Sequence, residues 1–255
     1  MQGPHILDRM IEQLGSSRSL EVSQTVQFHS PSAPPAAKPL HEILKYRYPD
    51  RFRSEIHGES VRRIYLLSGE SVLTVVDGKA EEEAETRLDL YKDILLFRTR
   101  SMLERRLRRF GVDVAISSLG RLEGKPVYVV GAVFPDESVP QIWFDKSTLL
   151  PVRWIVTRTT HRDQSDALEV RYRLWEKTGG VQYPRRIDFI RGKRLVREIH
   201  ADRIVVNPVF GDRTFDIERL KSLHEPAARI PVDQIEIKEL DEVQKTIEDF
   251  GKIFK

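Results

Sequence analysis

The sequence predicts a mainly β, α+β fold: a large curved antiparallel sheet of about eleven strands, helices covering its concave apolar face, and a helical tail at the C-terminus. Three observations predict it. Short runs with apolar residues at period two, separated by Gly or Pro turns, occupy most of the chain; two helical patterns interrupt them mid-chain; and amphipathic helical spacing marks both ends. A sheet of this kind needs a cover for its apolar face, and the helices are the candidates.

At the start, Ile6, Leu7, Met10, Ile11 and Leu14 fall at helical spacing opposite Asp8, Arg9, Glu12 and Gln13, and Gly15 ends the pattern. The period changes at Leu20, where Val22, Gln24, Val26 and Phe28 follow at alternate positions, as in a half-buried strand. The four prolines of PSAPPAAKP (31–39) cannot donate to a ladder, so this stretch is a loop. Strand-like runs then cover 40–48, 51–57, 60–67 and 70–76, divided by Pro49-Asp50, Gly58-Glu59 and Gly69-Glu70. The acidic run EEEAE (81–85) interrupts this meander.

Leu88, Tyr91 and Leu95 line one helical face, and Leu103, Leu107 and Phe110 line a second that stops at Gly111. Strand signals resume at 112–122, 125–134, 140–145, 149–158, 167–175, 182–191 and 194–206. The clearest is LEVRYRLW, in which Leu168, Val170, Tyr172 and Leu174 alternate with charged residues. Within PQIWFDKSTLLPVRW (140–154), Asp145-Lys146-Ser147-Thr148 forms the turn of a hairpin. Parity pairs Ile142 with Phe144 and Leu150 with Val152 and Trp154, and places Trp143 on the opposite face. Beyond Pro226 and Pro231, Leu240, Val243, Ile247 and Phe250 form the stripe of a terminal helix. The expected domains are 1–223, the sheet with its helices, and 224–255, a C-terminal extension.

Composition narrows the function classes. With 42 Lys and Arg against 39 Asp and Glu the net charge is only +3, which argues against a one-sided basic surface for nucleic acid. The absence of cysteine excludes disulfides, thiolate nucleophiles and iron–sulfur clusters. His5, His29, His41, His57, His161, His200 and His224 show no metal-ligand spacing, and no glycine-rich phosphate loop or GxSxG elbow occurs. No metal, cofactor or catalytic residue is therefore assigned. The chain shows no charged leader followed by an apolar stretch, so an exported form would have lost its signal peptide. RTRSMLERRLRRF (98–110) surrounds Met102, Leu103, Leu107 and Phe110 with Arg105, Arg106, Arg108 and Arg109. Such a helix either docks on its own sheet with a solvated basic back or lies on anionic lipid; as a movable lid it could do both.

The order of YRYPDRFRSEI (46–56), ESVLTVVDGK (70–79), the helical pair, LGRLEGKPVYVV (119–130) and PQIWFDKSTLLPVRW resembles the LolA/LolB-like superfamily, most closely its outer membrane lipoprotein-sorting branch. The likeness runs from about Ile6 to about Ile217, with RseB-type sensors and mycobacterial lipoproteins as more distant kin. It implies an incomplete antiparallel barrel plugged by helices, and a periplasmic, non-enzymatic carrier of lipid or lipoprotein acyl chains toward the outer membrane. The implied partners are lipid or acylated lipoprotein, transport proteins of the inner and outer membranes, and transient membrane contact, with no nucleic acid. One position departs from the pattern. The residue before the proline, typically a lid-latching arginine in the carriers, is Tyr48 here, with Arg47 one place earlier and so on the opposite strand face.

By strand parity the expected lipid-binding cavity is lined by Phe52, Ile56, Ile64, Leu66, Val72, Ile142, Phe144, Val152, Trp154, Leu168, Val170 and Tyr172, with Leu95, Leu103 and Leu107 from the lid. Ordinary core packing is the competing role for each. Two other readings stay open: an RseB-like sensor or scaffold that binds a partner protein on the same fold, and an enzyme, which needs a His and carboxylate cluster assembled by folding.

Overall fold

The computed structural model describes residues 1–29, 38–58, 62–82, 85–157 and 167–226. Most of the proline-rich stretch and the expected terminal helix lie outside the described residues. In chain order the elements are α1 (Gly3–Leu14), β1 (Ser19–Phe28), β2 (Leu40–Arg47), β3 (Arg51–His57), β4 (Arg62–Ser68), β5 (Ser71–Val76), β6 (Lys79–Glu82), a 3-10 segment (Arg87–Lys92), α2 (Asp93–Leu96) and α3 (Arg100–Arg109). There follow β7 (Ser117–Leu122), β8 (Lys125–Val130), β9 (Gln141–Asp145), β10 (Pro151–Val156), β11 (Leu168–Thr178), β12 (Val181–Arg191), β13 (Arg194–Val206), a 3-10 segment (Asp212–Phe215), α4 (Ile217–Ser222) and β14 (Glu225–Pro226).

The described strands number fourteen and belong to one sheet whose ordering ends at β14 and β7, so the sheet is open. Two strands beyond the expected set explain much of the higher count. β6 runs into the stretch expected to interrupt the meander, because Asp77-Gly78, both at positive φ, makes a tight hairpin that pairs Val76 with Lys79. β14 adds a short parallel pair to β6.

The chain divides into two compact units, Met1–Ser17 with Tyr91–Val196, and Arg18–Leu90 with the chain from Arg197. In the first unit the strand order is β12-β11-β10-β9-β8-β7, antiparallel throughout. α1 buries Ile6, Leu7, Met10 and Leu14 of the stripe that its spacing predicts, and leaves Ile11 half-buried. It lies close against its neighbours: a Cβ at Gly3 or at Gly15 would meet the carbonyl oxygens of Val114 and Gly180, each at 2.1 Å. Gly15 also has φ of 79°, which glycine adopts without strain. The first helical pattern, expected as one helix, is instead the 3-10 segment followed by the single turn of α2.

In the second unit the order is β14-β6-β5-β4-β3-β2-β1-β13. One face of β4–β6 carries Leu66, Leu73, Val75 and Ala80, which pack with Phe215 and Leu220 from the chain after β13. Asp216 caps α4 by accepting from the Arg219 N–H at 2.9 Å.

Candidate functional site

In the first unit the register carries one apolar row across five strands: Val130 opposite Ile142, Ile142 opposite Trp154, Trp154 opposite Val170, and Val170 opposite Phe189. All five are fully buried. Phe144, Leu168 and Tyr172 lie on the same face by strand parity and are buried with them. The helices cover this face. Tyr91 meets the Phe189 ring edge to face at 5.6 Å and accepts a hydrogen bond at its carbonyl from the Tyr172 hydroxyl at 2.9 Å. Leu95 of α2 and Leu103 and Leu107 of α3 are fully buried.

Val152 does not share the face of Trp154. A bulge between Pro151 and Arg153 inverts the parity, and Val152 packs instead with Leu122 and the cluster of Val127, Val129, Ala132 and Trp143. The alternation of LEVRYRLW also stops early, because Leu174 sits at φ 54° and is 69% exposed. Both departures fall where strands bend, which period-two counting does not register.

The helices are fastened by charge. The Asp93 carboxylate, fully buried, accepts from the Lys92 ammonium at 3.0 Å and from Arg106 Nε at 2.6 Å. Arg106 was expected on the wet face of α3; it is buried, and its guanidinium lies 4.7 Å from the Phe110 ring. Burial, with the Asp93 carboxylate next in importance, pushes the Tyr172 phenol well above its ordinary value. The pairing escaped the sequence reading because Asp93 and Arg106 stand on separate elements.

The second unit divides its expected residues between two faces. Phe52 is opposite Leu67, and Leu67 opposite Val72, so Phe52, Ile56 and Val72 share one face. Ile64 and Leu66 lie on the other, with Phe215, Phe210, Ile217 and Leu220. The expectation that all five line one surface is therefore corrected. The face of Phe52 is also far more polar than expected. On it the Glu42 carboxylate accepts from Gln24 Nε2 at 2.6 Å, from the Ser54 hydroxyl, and from Arg197 Nη2 at 3.4 Å. Arg63 grips Asp89 through two bonds of 3.0 and 2.7 Å, and Tyr65 donates to Glu85 at 2.6 Å.

Arg47 lies away from that face. It donates to the Phe210 carbonyl at 2.8 Å and its guanidinium sits 4.9 Å from the Phe215 ring, so it holds the chain after β13.

Neither a protein-family model nor a curated protein matches the chain by sequence. Solved structures do match by shape. The LolA superfamily protein NE2245 from Nitrosomonas europaea aligns with a TM-score of 0.60 and 12% identity over 86% of this chain and 99% of its own. A domain named for outer membrane lipoprotein sorting from Vibrio parahaemolyticus gives 0.58 and 7%, over 86% and 97%. A DUF1329 family protein from Desulfovibrio piger gives 0.57 and 12%, over 86% and 98%. Among the described residues no helix is long and apolar enough to cross a membrane. The chain thus shares its fold, an open and almost wholly antiparallel sheet with an apolar, helix-covered face in the first unit, with that LolA superfamily protein.

Proposed function

We infer that the chain is a non-enzymatic carrier that holds the acyl chains of a lipid or lipoprotein on the helix-covered face of its first unit. The observation that carries this reading is the unbroken row Val130, Ile142, Trp154, Val170 and Phe189, which presents apolar side chains from five consecutive strands under helices that are themselves apolar on the inner side. Each buried methylene of a guest contributes about 0.8 kcal/mol, so an acyl chain of ordinary length is held by area alone. A guest reaches the row when α1 or the α2–α3 pair gives way, and Leu95, Leu103 and Leu107 then exchange contacts with the strands for contacts with the guest. On this reading the residues that touch the acyl chain are Ile142, Phe144, Trp154, Leu168, Val170 and Tyr172, and the cargo moves through the periplasm toward the outer membrane.

The test is direct. Protein purified without detergent is extracted and examined by mass spectrometry for co-purifying lipid, and titrated with a fluorescent fatty acid. Recovered acyl lipid and saturable binding are the expected results; failure of both removes the carrier reading.

A further inference from the structure

The three tryptophans differ in what their indole N–H groups do. Trp143 Nε1 donates to Gln141 Oε1 at 2.8 Å, and Trp175 Nε1 donates to the Pro151 carbonyl at 3.0 Å. Trp154 Nε1 is buried and has no acceptor among the described residues. The residue itself is fully buried, between Ile142 on one neighbouring strand and Val170 on the other, at the centre of the apolar row. A buried donor left without an acceptor costs about 1–3 kcal/mol, and native proteins rarely keep one. Phenylalanine would place an aromatic ring there without that cost, at the expense of a smaller filled volume.

We propose that Trp154 is the polar anchor of an acyl-ester site: its indole N–H donates to the ester carbonyl oxygen of a chain lying along the row. This rests on the carrier reading and adds to it the class of ligand. The chemistry selects an ester over a free carboxylate. The donor is neutral and its strand neighbours are apolar, so a carboxylate brought there keeps an uncompensated charge, whereas an ester carbonyl needs one donor and no counter-charge. Arg153, next to Trp154 in the chain, pairs with Glu137 and Glu169, and Lys92 and Arg106 hold Asp93. An ester carbonyl thus supplies the acceptor that no described residue gives Trp154 Nε1, and the acyl chain is fixed in register along the strands as well as buried.

The probes are a pyrene-labelled dodecanoate methyl ester, the corresponding free acid and the corresponding pyrenyl alkane, titrated by fluorescence into the full chain and into Trp154→Phe. The native chain is expected to bind the ester more tightly than the acid or the alkane. Trp154→Phe is expected to weaken ester binding about five- to tenfold, the size of one hydrogen bond, and to leave alkane binding within about twofold. Equal ester affinity in both proteins overturns the proposal, and so does a loss shared by ester and alkane, which would make Trp154 a space-filling residue only. If the native chain binds none of the three probes, the carrier reading itself fails, a result distinct from either of these. A second measurement does not depend on the variant folding. In the native chain labelled with nitrogen-15, assigned through Trp143→Phe and Trp175→Phe, the Trp154 indole proton moves downfield when the ester is added and not when the alkane is added. A resonance that ignores the ester overturns the proposal.

Discussion

In the first unit the strand face beneath the helices carries apolar side chains, with the buried ions Lys92, Asp93 and Arg106 on the helical segments and the buried strand ions Arg153 and Asp188 on the other face of the sheet. In the second unit the polar groups stand on the strands themselves: Gln24 on β1, Glu42 on β2, Ser54 on β3 and Arg197 on β13 meet in one network. The difference separates two uses of a sheet face. A network that satisfies its own donors and acceptors is specific and costly to part, so a face built that way is closed to an apolar guest. A face with apolar strands, whose cover is held by a few charge contacts on the helices, can exchange that cover for a guest. This is why Ile142, Phe144, Trp154, Leu168, Val170 and Tyr172 remain candidates for acyl contact while Phe52 and Ile56 stand beside Glu42 and Ser54 as the interior of the second unit.

The largest effect that can break this comparison is at Asp93. Asp93→Asn leaves Lys92 and Arg106 buried without their anion and is expected to cost about 3–5 kcal/mol in denaturant titration. Hydrogen exchange should locate the loosening in α1, α3 and β8–β12. Glu42→Gln, which keeps an acceptor for Gln24 or Ser54 but removes the carboxylate that the buried Arg197 faces at 3.4 Å, is expected to cost a comparable amount, about 3–5 kcal/mol, with faster exchange in β1–β4. If the two variants loosen the same strands, the units do not have separate fastenings.

Next in size is a pair of core truncations. Ile142→Ala and Leu66→Ala each remove a buried side chain and are expected to cost about 2–5 kcal/mol. Only Ile142→Ala should alter acyl binding, because Leu66 packs with Phe215 and Leu220 on the opposite face of its own unit. Altered binding by Leu66→Ala would return that residue to the ligand surface.

The smallest effect is acid dependence, expected in both units. Burial works against the Glu169 carboxylate, but Arg153 and Arg171 outweigh it and hold its pKa below the ordinary 4.5; Lys45 and Arg53 do the same for Glu55. A lowered pKa in the folded state means these groups stabilise fully above about pH 4.5 and that the contribution is lost as pH falls through the folded value. Thermal unfolding followed from pH 7 to pH 3 should show a loss of a few degrees from this source, diminished in Glu169→Gln and in Glu55→Gln. An unchanged slope in both variants assigns the acid sensitivity to other groups.

Much of this architecture is legible in the chain. The helical stripe from Ile6 to Leu14, most of the strand runs, and the hairpin turn at Asp145 appear where spacing and turn chemistry place them, although the run expected at 112–122 is a strand only from Ser117 and the one at 125–134 only to Val130. In that turn Asp145 Oδ1 accepts from the Ser147 and Thr148 N–H groups, each at 2.9 Å. These features depend on residues close in sequence, and local sterics and hydrogen bonding decide them.

What tertiary structure alone decided is which face is which and what each polar group meets. Period two states that alternate residues share a face, yet a single bulge before Arg153 moves Val152 to the side of Trp143, and the pairing of Phe52 with Leu67 sends Ile64 and Leu66 to the far side. Arg106 looks like a surface arginine until α2 brings Asp93 to within 2.6 Å of it. Trp154 looks like its two fellow tryptophans until theirs are seen to have acceptors and its own indole to have none among the described residues. Register, burial and hydrogen-bond partners depend on atoms brought together from distant parts of the chain, and so they follow from packing and not from local pattern.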